Sequence, residues 1–581
     1  MRFWYNPNFL AITALLFLSI PALKSLATPG FYTSHDGETH TARIAQYYQA
    51  LKDGQYPPRF AGSFYNGLGS PLFVYIYPLP YFLGSLIHSL GFSFTDSFKI
   101  LMVAAYLSSA IFSYLWLKAV FKSEKAAFLG ALFYIWVPYR FLLLYVRASL
   151  SELLAYSFLP LLFFALTRMV ETKKPAWLPV ASISYALLLL SQNLAALVCS
   201  PVLVGYLLVL SIYRRSYRIL FQGLLSLIWG FIIAAFTYLP SLFERQFTRL
   251  DEIINIAYQN HFAALKQLIR SPWGYGFDLP GTVNDQLSLQ IGLAQLLILP
   301  LILMVILLRL PILKKIKSHW QDIVLTDHIH LTFYFLLIFG AAVFLMVNWP
   351  PTIYVWQNFA PLRMIDIPWR LLGIAALATS FLAAYAAWIF KPGLIFLILT
   401  LAVLVANRNH LRINQQIFYD DQFFSTYKGT ATQYSEFTPV WRDSTSISST
   451  FNQLQPLTTV SGEVRIWNML AKSNGISFEA DVTSEETEIR INKFYFPKVT
   501  IVDKQNELRQ QQDWYTIRSD DRRLNQDQDN SGLILLTLKK GSHDIIFEYR
   551  ETILRKLANL LSLGSLLLVV VVTFRYAYKK Q

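Results

Sequence analysis

Acidic residues and arginines stand at the edges of long apolar runs, where a charge is costly and therefore informative. His35, Asp36 and Glu38 follow the first such run, in FYTSHDGETHTARI. A carboxylate fixed there can act as a general base, orient a hydroxyl or bind a cation. It can also do no more than cap the helix that follows. Arg147 and Glu152 form a second group, in RFLLLYVRASLSELLAYSFLPLL. An ionised side chain costs about 2.5–3.5 kcal/mol at the centre of a spanning helix and less at its edge. With no polar loop around them, these two are expected to face the bundle interior, as a structural pair or as part of a site. Arg363, Asp366 and Arg370 form a third group, in PLRMIDIPWRLL. The planar fork of arginine suits phosphate oxygens, although a lone arginine at a span mouth ordinarily snorkels to headgroups. Arg59, after Pro57 and Pro58, joins these candidate phosphate binders. Asn193, in the turn Ser191-Gln192-Asn193, is a candidate substrate contact that also suits a helix cap. Trp273 and Tyr275, among glycines in SPWGYGFDLPG, suit a substrate flap or aromatic anchoring at an interface.

Other chemistries find no footing. The chain has no Walker loop, HExxH, CxxC or GxSxG pattern, which argues against ATPase, zinc-protease and serine-hydrolase activity. Its one cysteine, Cys199, lies in an apolar run and excludes an intrachain disulfide.

The elements that must position these residues are set by composition. Of 581 residues, 54% are hydrophobic and 15% charged, against about 25% charged in a soluble domain; the mean hydropathy is +0.39. This describes a polytopic membrane protein. The net charge of +15 does not point to nucleic acid. Its basic clusters, at 118–125, 168–174, 214–218, 309–317 and 576–580, sit in short loops between apolar runs, as the positive-inside rule describes.

Apolar runs long enough, or nearly so, to cross about 30 Å of hydrocarbon lie near 8–27, 97–120, 126–145, 150–168, 177–193, 194–213, 218–240, 288–308, 329–347, 369–390, 392–407 and 553–575. The first resembles a signal peptide, but a retained span gives the consistent charge topology. The run 71–90, broken by Pro71, Pro78 and Pro80, is read as interfacial or re-entrant, because a crossing there would invert every later basic loop. The expectation is about twelve spans in the plasma membrane, with both termini cytoplasmic. The first outer loop, 28–96, would carry an amphipathic helix with Ile44, Tyr47, Tyr48 and Leu51 on one face. A flap loop would occupy 241–287. From 408 to 552, alternating strands such as EVRIWNML, GISFEADV and TEIRINKFYF predict an extracytoplasmic β-sandwich. Residues 553–581 would return as an anchor with a basic tail.

Taken in order, HDGETHTARI, YPPRF, GLGSPLFVYIYPLPYF, PYRFLLLYVRASLSELLAYSFLP, SPWGYGFDLPG, SLQIGLAQ and IPWRLL resemble the GT-C glycosyltransferases. Within these the chain is most similar to the bacterial membrane family labelled 6-pyruvoyl-tetrahydropterin-synthase-related, with its YfhO-like relatives. KFYFPKVTIVDKQNELRQ and LTLKKGSHDIIFEYRETILRKLANLLSL resemble that family's outer β-domain and its return to the membrane. The resemblance implies transfer of a sugar from a polyprenyl-phosphate donor to a glycan, lipid or protein acceptor. It places Asp36 at the first-loop acidic position and Glu152 near a second one. The chain departs from the pattern at Gln192, where the family often has histidine, and at Gly37, which separates Asp36 from Glu38. Nothing resembles the metal-binding histidines of the soluble pterin enzyme. No cofactor is implied with certainty, and a divalent cation is the one left open. The alternative on the same fold is a non-catalytic transporter of lipid-linked glycan or an envelope assembly factor; few polar residues at mid-membrane weigh against transport.

Overall fold

The computed structural model describes residues 6–278, 287–307, 328–390, 393–430, 432, 435–440, 455–497, 499–504, 515–518 and 533–578. Pro280, Gly281 and the basic cluster 309–317 lie outside the described residues.

The apolar runs become helices because a backbone in lipid must satisfy its own polar groups. The first eight are α1 (Pro7–Leu23), α2 (Gly37–Lys52), α3 (Leu72–Tyr75), α4 (Leu79–Ser89), α5 (Phe94–Phe121), α6 (Glu124–Ile135), α7 (Pro138–Phe141) and α8 (Leu150–Thr172). Among the described residues, seven helices are long and apolar enough to cross a bilayer, or up to nine if each of two bent pairs is one span. One pair is Glu124–Ile135 with Pro138–Val146, bent by 48°; Pro138, which has no N–H to give, starts its second half. The other is Tyr217–Ile233 with Ala235–Phe247, bent by 75°. Three shorter apolar helices, Trp177–Ser191, Leu293–Leu307 and Leu394–His410, fall on the remaining apolar runs. The chain is thus a multi-helix membrane protein. Helix α4, with 11 residues, is too short to cross.

The most enclosed span is Pro368–Ile389, which packs on α6 and on Ile329–Met346. Gly130 permits the approach to α6, since a Cβ there would stand 2.8 Å from Ala384 Cβ and 2.4 Å from Leu117 Cδ1. Helix α2 is also enclosed. It buries not only Ile44 and Tyr47 but also His40, Thr41, Arg43 and Gln46, and packs on α4, α5 and the short helix Asp421–Ser425. Its polar side chains therefore meet protein as well.

The C-terminal domain differs from the expected sandwich. After the small pair β1 (Phe31–Tyr32) and β2 (Gln416–Ile417), strands β3 (Leu457–Ser461), β4 (Val464–Lys472), β5 (Gly475–Phe494), β6 (Val499–Asp503), β7 (Tyr515–Arg518) and β8 (Leu533–Tyr549) join one antiparallel six-stranded sheet. The reason is length. β5 and β8 pair along most of their 20 and 17 residues, so β3 and β4 share one flank and β6 and β7 the other. A register shift between Val482 and Glu486 interrupts the central ladder.

This sheet holds the first loop. Lys493 Nζ donates to the carbonyls of Gly62 (3.1 Å) and Gly67 (2.7 Å), and the backbone N–H of Phe494 donates to Leu68 (3.0 Å). Phe60 stacks on Tyr549 with ring centroids 3.8 Å apart.

Candidate functional site

Backbone pairing sets the centre of the site. The N–H groups of His35 and Asp36 donate to the carbonyls of Val146 (3.0 Å) and Arg147 (2.8 Å). The partner strand is the end of a π turn, Leu142–Val146, followed by Ala148 at φ +51°. Gly37 lets the two segments close, since a Cβ there would lie 2.9 Å from Ala148 Cβ and 2.6 Å from Ser34 Oγ. Asp36 makes no side-chain cap to α2. Its carboxylate turns instead to Arg147, with Oδ2 3.0 Å from Nη2.

From Arg147 the charges alternate inward. Arg147 Nη1 lies 2.7 Å from Glu152 Oε2, and the same oxygen lies 3.3 Å from Arg370 Nη1. Arg370 Nη2 then reaches Asp366 Oδ2 at 3.1 Å. Glu152, in the first turn of α8, is 1% exposed, and its other oxygen accepts from the Tyr139 hydroxyl. The Arg147 guanidinium also stands 5.3 Å from the centre of the Trp369 ring. Here carboxylates outnumber guanidiniums three to two, and each buried charge has an opposite neighbour, as burial requires. Two atoms of the 366–370 turn, Asp366 Oδ1 and Arg370 Nε, are buried without a hydrogen-bond partner among the described residues.

Further contacts come from residues 261–278 of the outer loop. Trp369 Nε1 donates to Asp278 Oδ2, which lies 2.7 Å from His261 Nδ1. His35 stacks on Phe277 at 4.5 Å, and its Nε2 lies 3.1 Å from the Tyr275 carbonyl oxygen. The Tyr275 hydroxyl donates to the Arg412 carbonyl at 2.7 Å. Trp273 packs on His410 at 4.3 Å. Burial pushes the Asp36 carboxyl up, but Arg147, with His40, His35 and Arg370, outweighs it and holds it below the usual carboxylate range. Burial lowers His35, against the raising effect of the Tyr275 carbonyl and Asp36. Asp278 is held low despite burial by His261 and the Trp369 N–H.

The structure brings together Asp36, Arg147, Glu152, Asp366 and Arg370, with His35 and Tyr275 beside them. It takes three other candidates elsewhere. Arg59 pairs with Glu551 (3.0 Å) and donates to Asn559 (2.8 Å) at the start of the last helix. Asn193 donates to the Tyr75 carbonyl (3.1 Å), and Glu38 accepts from the Tyr419 hydroxyl (2.9 Å). Arg363, half-buried at the end of the short helix Ala360–Arg363, has a buried Nε without a partner among the described residues. Tyr139, His261 and Asp278 were not singled out by the sequence. The one signal for Tyr139 was a tyrosine after proline in an apolar run; His261 and Asp278 gave none, because their pairing joins two turns of an irregular loop.

These groups do not fit a resident divalent cation. Asp36, Glu152 and Asp366 each spend an oxygen on a guanidinium. Among the described residues, no three His, Cys, Asp or Glu side chains gather as ligands.

No family model matches the chain, so the family-level resemblance stands on the residues alone. An uncharacterized protein of Lactococcus lactis subsp. cremoris is 28% identical over 246 residues, covering 41% of this chain and 40% of that protein. Two solved structures of an Archaeoglobus fulgidus oligosaccharyltransferase are similar at 12% identity. The apo form matches with a TM-score of 0.33 over 73% of this chain and 56% of that one. The complex of that enzyme, AglB, with an inhibitory peptide and a dolichol-phosphate matches with a TM-score of 0.34 over 74% and 57%. The match thus spans little more than half of the oligosaccharyltransferase and two fifths of the Lactococcus protein. At such scores the functional reading must come from the site itself.

Proposed function

We propose that this chain is a membrane glycosyltransferase of the GT-C kind, which moves a sugar from a polyprenyl-phosphate donor to an extracytoplasmic glycan, lipid or protein acceptor. One observation carries the reading: the alternating file Asp36–Arg147–Glu152–Arg370–Asp366, where the first-loop acid meets two spans. Here a partly exposed carboxylate ends the file at Asp36, and Arg363 lies three residues before Asp366.

The donor enters laterally from the lipid. Its phosphate lies toward Arg363 and the outer edges of Arg370 and Arg147, where guanidinium N–H groups stabilise the negative charge that grows as the sugar leaves. Asp36 aligns the acceptor hydroxyl. The sheet domain, docked on the first loop, lies on the acceptor side, and the surrounding partners are membrane lipids.

The test is transfer of a labelled sugar from a polyprenyl-phosphate donor in membranes, comparing wild type with Asp36→Asn. Transfer that depends on Asp36 is expected. Full transfer by the variant removes Asp36 from its role. No transfer by either protein, with altered flipping of the lipid, favours the transporter or assembly-factor reading.

A further inference from the structure

Trp369 joins the file of charges to the outer loop. Its side chain is 2% exposed, and the Arg147 guanidinium stands 5.3 Å from the ring centre. Tyr139, whose hydroxyl donates to Glu152, meets the ring edge-on with centroids 6.5 Å apart. A cation held over an aromatic ring follows the tilt of that ring. Arg147 gives one terminal nitrogen to Asp36 and the other to Glu152. A turn of its plane would therefore move the Asp36 carboxylate.

The indole is held from the side away from the helices. Trp369 Nε1 donates to Asp278 Oδ2, and the same oxygen lies 2.7 Å from His261 Nδ1. A buried indole N–H needs an acceptor, and any carbonyl would serve. A carboxylate makes a stronger, charge-assisted bond and fixes its direction. The loop that carries Asp278 is itself fastened. The Ala263 N–H donates to the Met346 carbonyl and the Asn348 N–H to the Ala263 carbonyl, each at 2.9 Å, which ties the loop to the end of the span Ile329–Met346 two residues after His261. Phe277 stacks on His35 at 4.5 Å, and the Tyr275 carbonyl lies 3.1 Å from His35 Nε2, so Asp278 is also fixed from the Asp36 side.

We infer that Asp278 is a positioning residue for sugar transfer: through Trp369 it sets the plane of the Arg147 guanidinium, and through Arg147 the aim of the Asp36 carboxylate at the acceptor hydroxyl. The inference rests on the transferase reading above. Asp278, Trp369, Arg147 and Asp36 each touch the next, so the relay needs no group outside this row. Asp278 takes and gives no proton in this role and acts only through the ring. A small tilt is enough, because a displacement of about 1 Å at a reacting group costs about 10²-fold in rate. Contact alone does not establish a relay, and coupling between its members does.

The experiment is a double-mutant cycle on sugar transfer by the full chain in membranes. It measures kcat and KM for wild type, Asp278→Ala, Asp278→Asn, Trp369→Phe and the double variant Asp278→Ala with Trp369→Phe. It is joined to ultraviolet resonance Raman spectra of the indole N–H in the same preparations. Asp278→Ala is expected to lower kcat by about 10-fold to 10²-fold with donor KM little changed. Asp278→Asn, whose amide oxygen still accepts from the indole, should restore most of the rate. Trp369→Phe keeps a ring without the N–H and should fall by a similar factor, and the double variant should fall no further. The difference spectrum between wild type and Trp369→Phe should show a strongly hydrogen-bonded indole, weakened in Asp278→Ala and kept in Asp278→Asn. Wild-type kcat in Asp278→Ala, or losses that multiply in the double variant, overturns the positioning role alone. So does a Trp369 band that Asp278→Ala leaves in place. Trp369→Phe at the wild-type rate overturns it too, and needs no change in the loop. No transfer by wild type overturns the transferase reading, and the positioning role with it.

Discussion

The file of alternating charges predicts an unequal response when Arg147 is removed. Arg147→Met keeps much of the side-chain volume but leaves Glu152, 1% exposed, with one fewer cation against it. Breaking a buried pair from one side costs about 3–5 kcal/mol; Arg370, 3.3 Å from the same oxygen, keeps the loss near the lower end. The link to Asp36 should contribute less than about 1 kcal/mol, because that carboxylate is 36% exposed and screened. Loss of the guanidinium over Trp369 adds about 0.5–2 kcal/mol. Chemical unfolding in detergent, read as a double-mutant cycle, separates these contributions. Glu152→Gln added to Arg147→Met should recover about 2 kcal/mol or more of the loss, since the stranded charge is gone. Asp36→Asn added to Arg147→Met should recover almost nothing. Equal recovery by the two, or none from Glu152→Gln, would refute the view that the cost lies in the buried end of the file.

Three further outcomes are expected. Gly373→Ala would place a Cβ 2.0 Å from the Tyr156 ring and hydroxyl, so it should destabilise by about 1–3 kcal/mol through overpacking, with partial recovery by Tyr156→Leu in thermal unfolding. In the sheet domain, burial pulls His543 down, but Asp503, 2.7 Å from Nδ1, and the Lys539 carbonyl outweigh it and raise the imidazole above its ordinary value. Its stabilisation is therefore full below about pH 6.5 and fades as pH rises through the folded value. Denaturation from about pH 6 to about pH 8 should show this fall in wild type and not in His543→Gln. Lys493 behaves oppositely, since burial pushes its ammonium down to about 8. Its contribution to stability should grow between about pH 8 and the unfolded value of about 10.4, a rise that Lys493→Met would remove in the same assay.

What the sequence made legible follows from where local cost is high. Charges beside apolar runs are expensive, so Asp36, Arg147, Glu152, Asp366 and Arg370 could be picked out and do converge. Helix positions were legible for the same reason, because lipid leaves a backbone few alternatives. Arg59 was not legible: two prolines mark a turn, but nothing local specifies a partner 492 residues away. The strands were visible through alternation, but whether they form one sheet or two depends on how far β5 and β8 run together. That is a non-local property.

Lys493 and Phe60 together have a consequence for how this polypeptide can be cut. A truncation ending before β3 would strip the Gly62 and Gly67 carbonyls of their ammonium donor and leave the Phe60 ring without the tyrosine it lies against. The hydrophobic half would then carry unpaired carbonyls and bare aromatic surface prone to self-association. The two halves are best regarded as one indivisible folding partner set, and expression of either alone should yield aggregates rather than a working fragment.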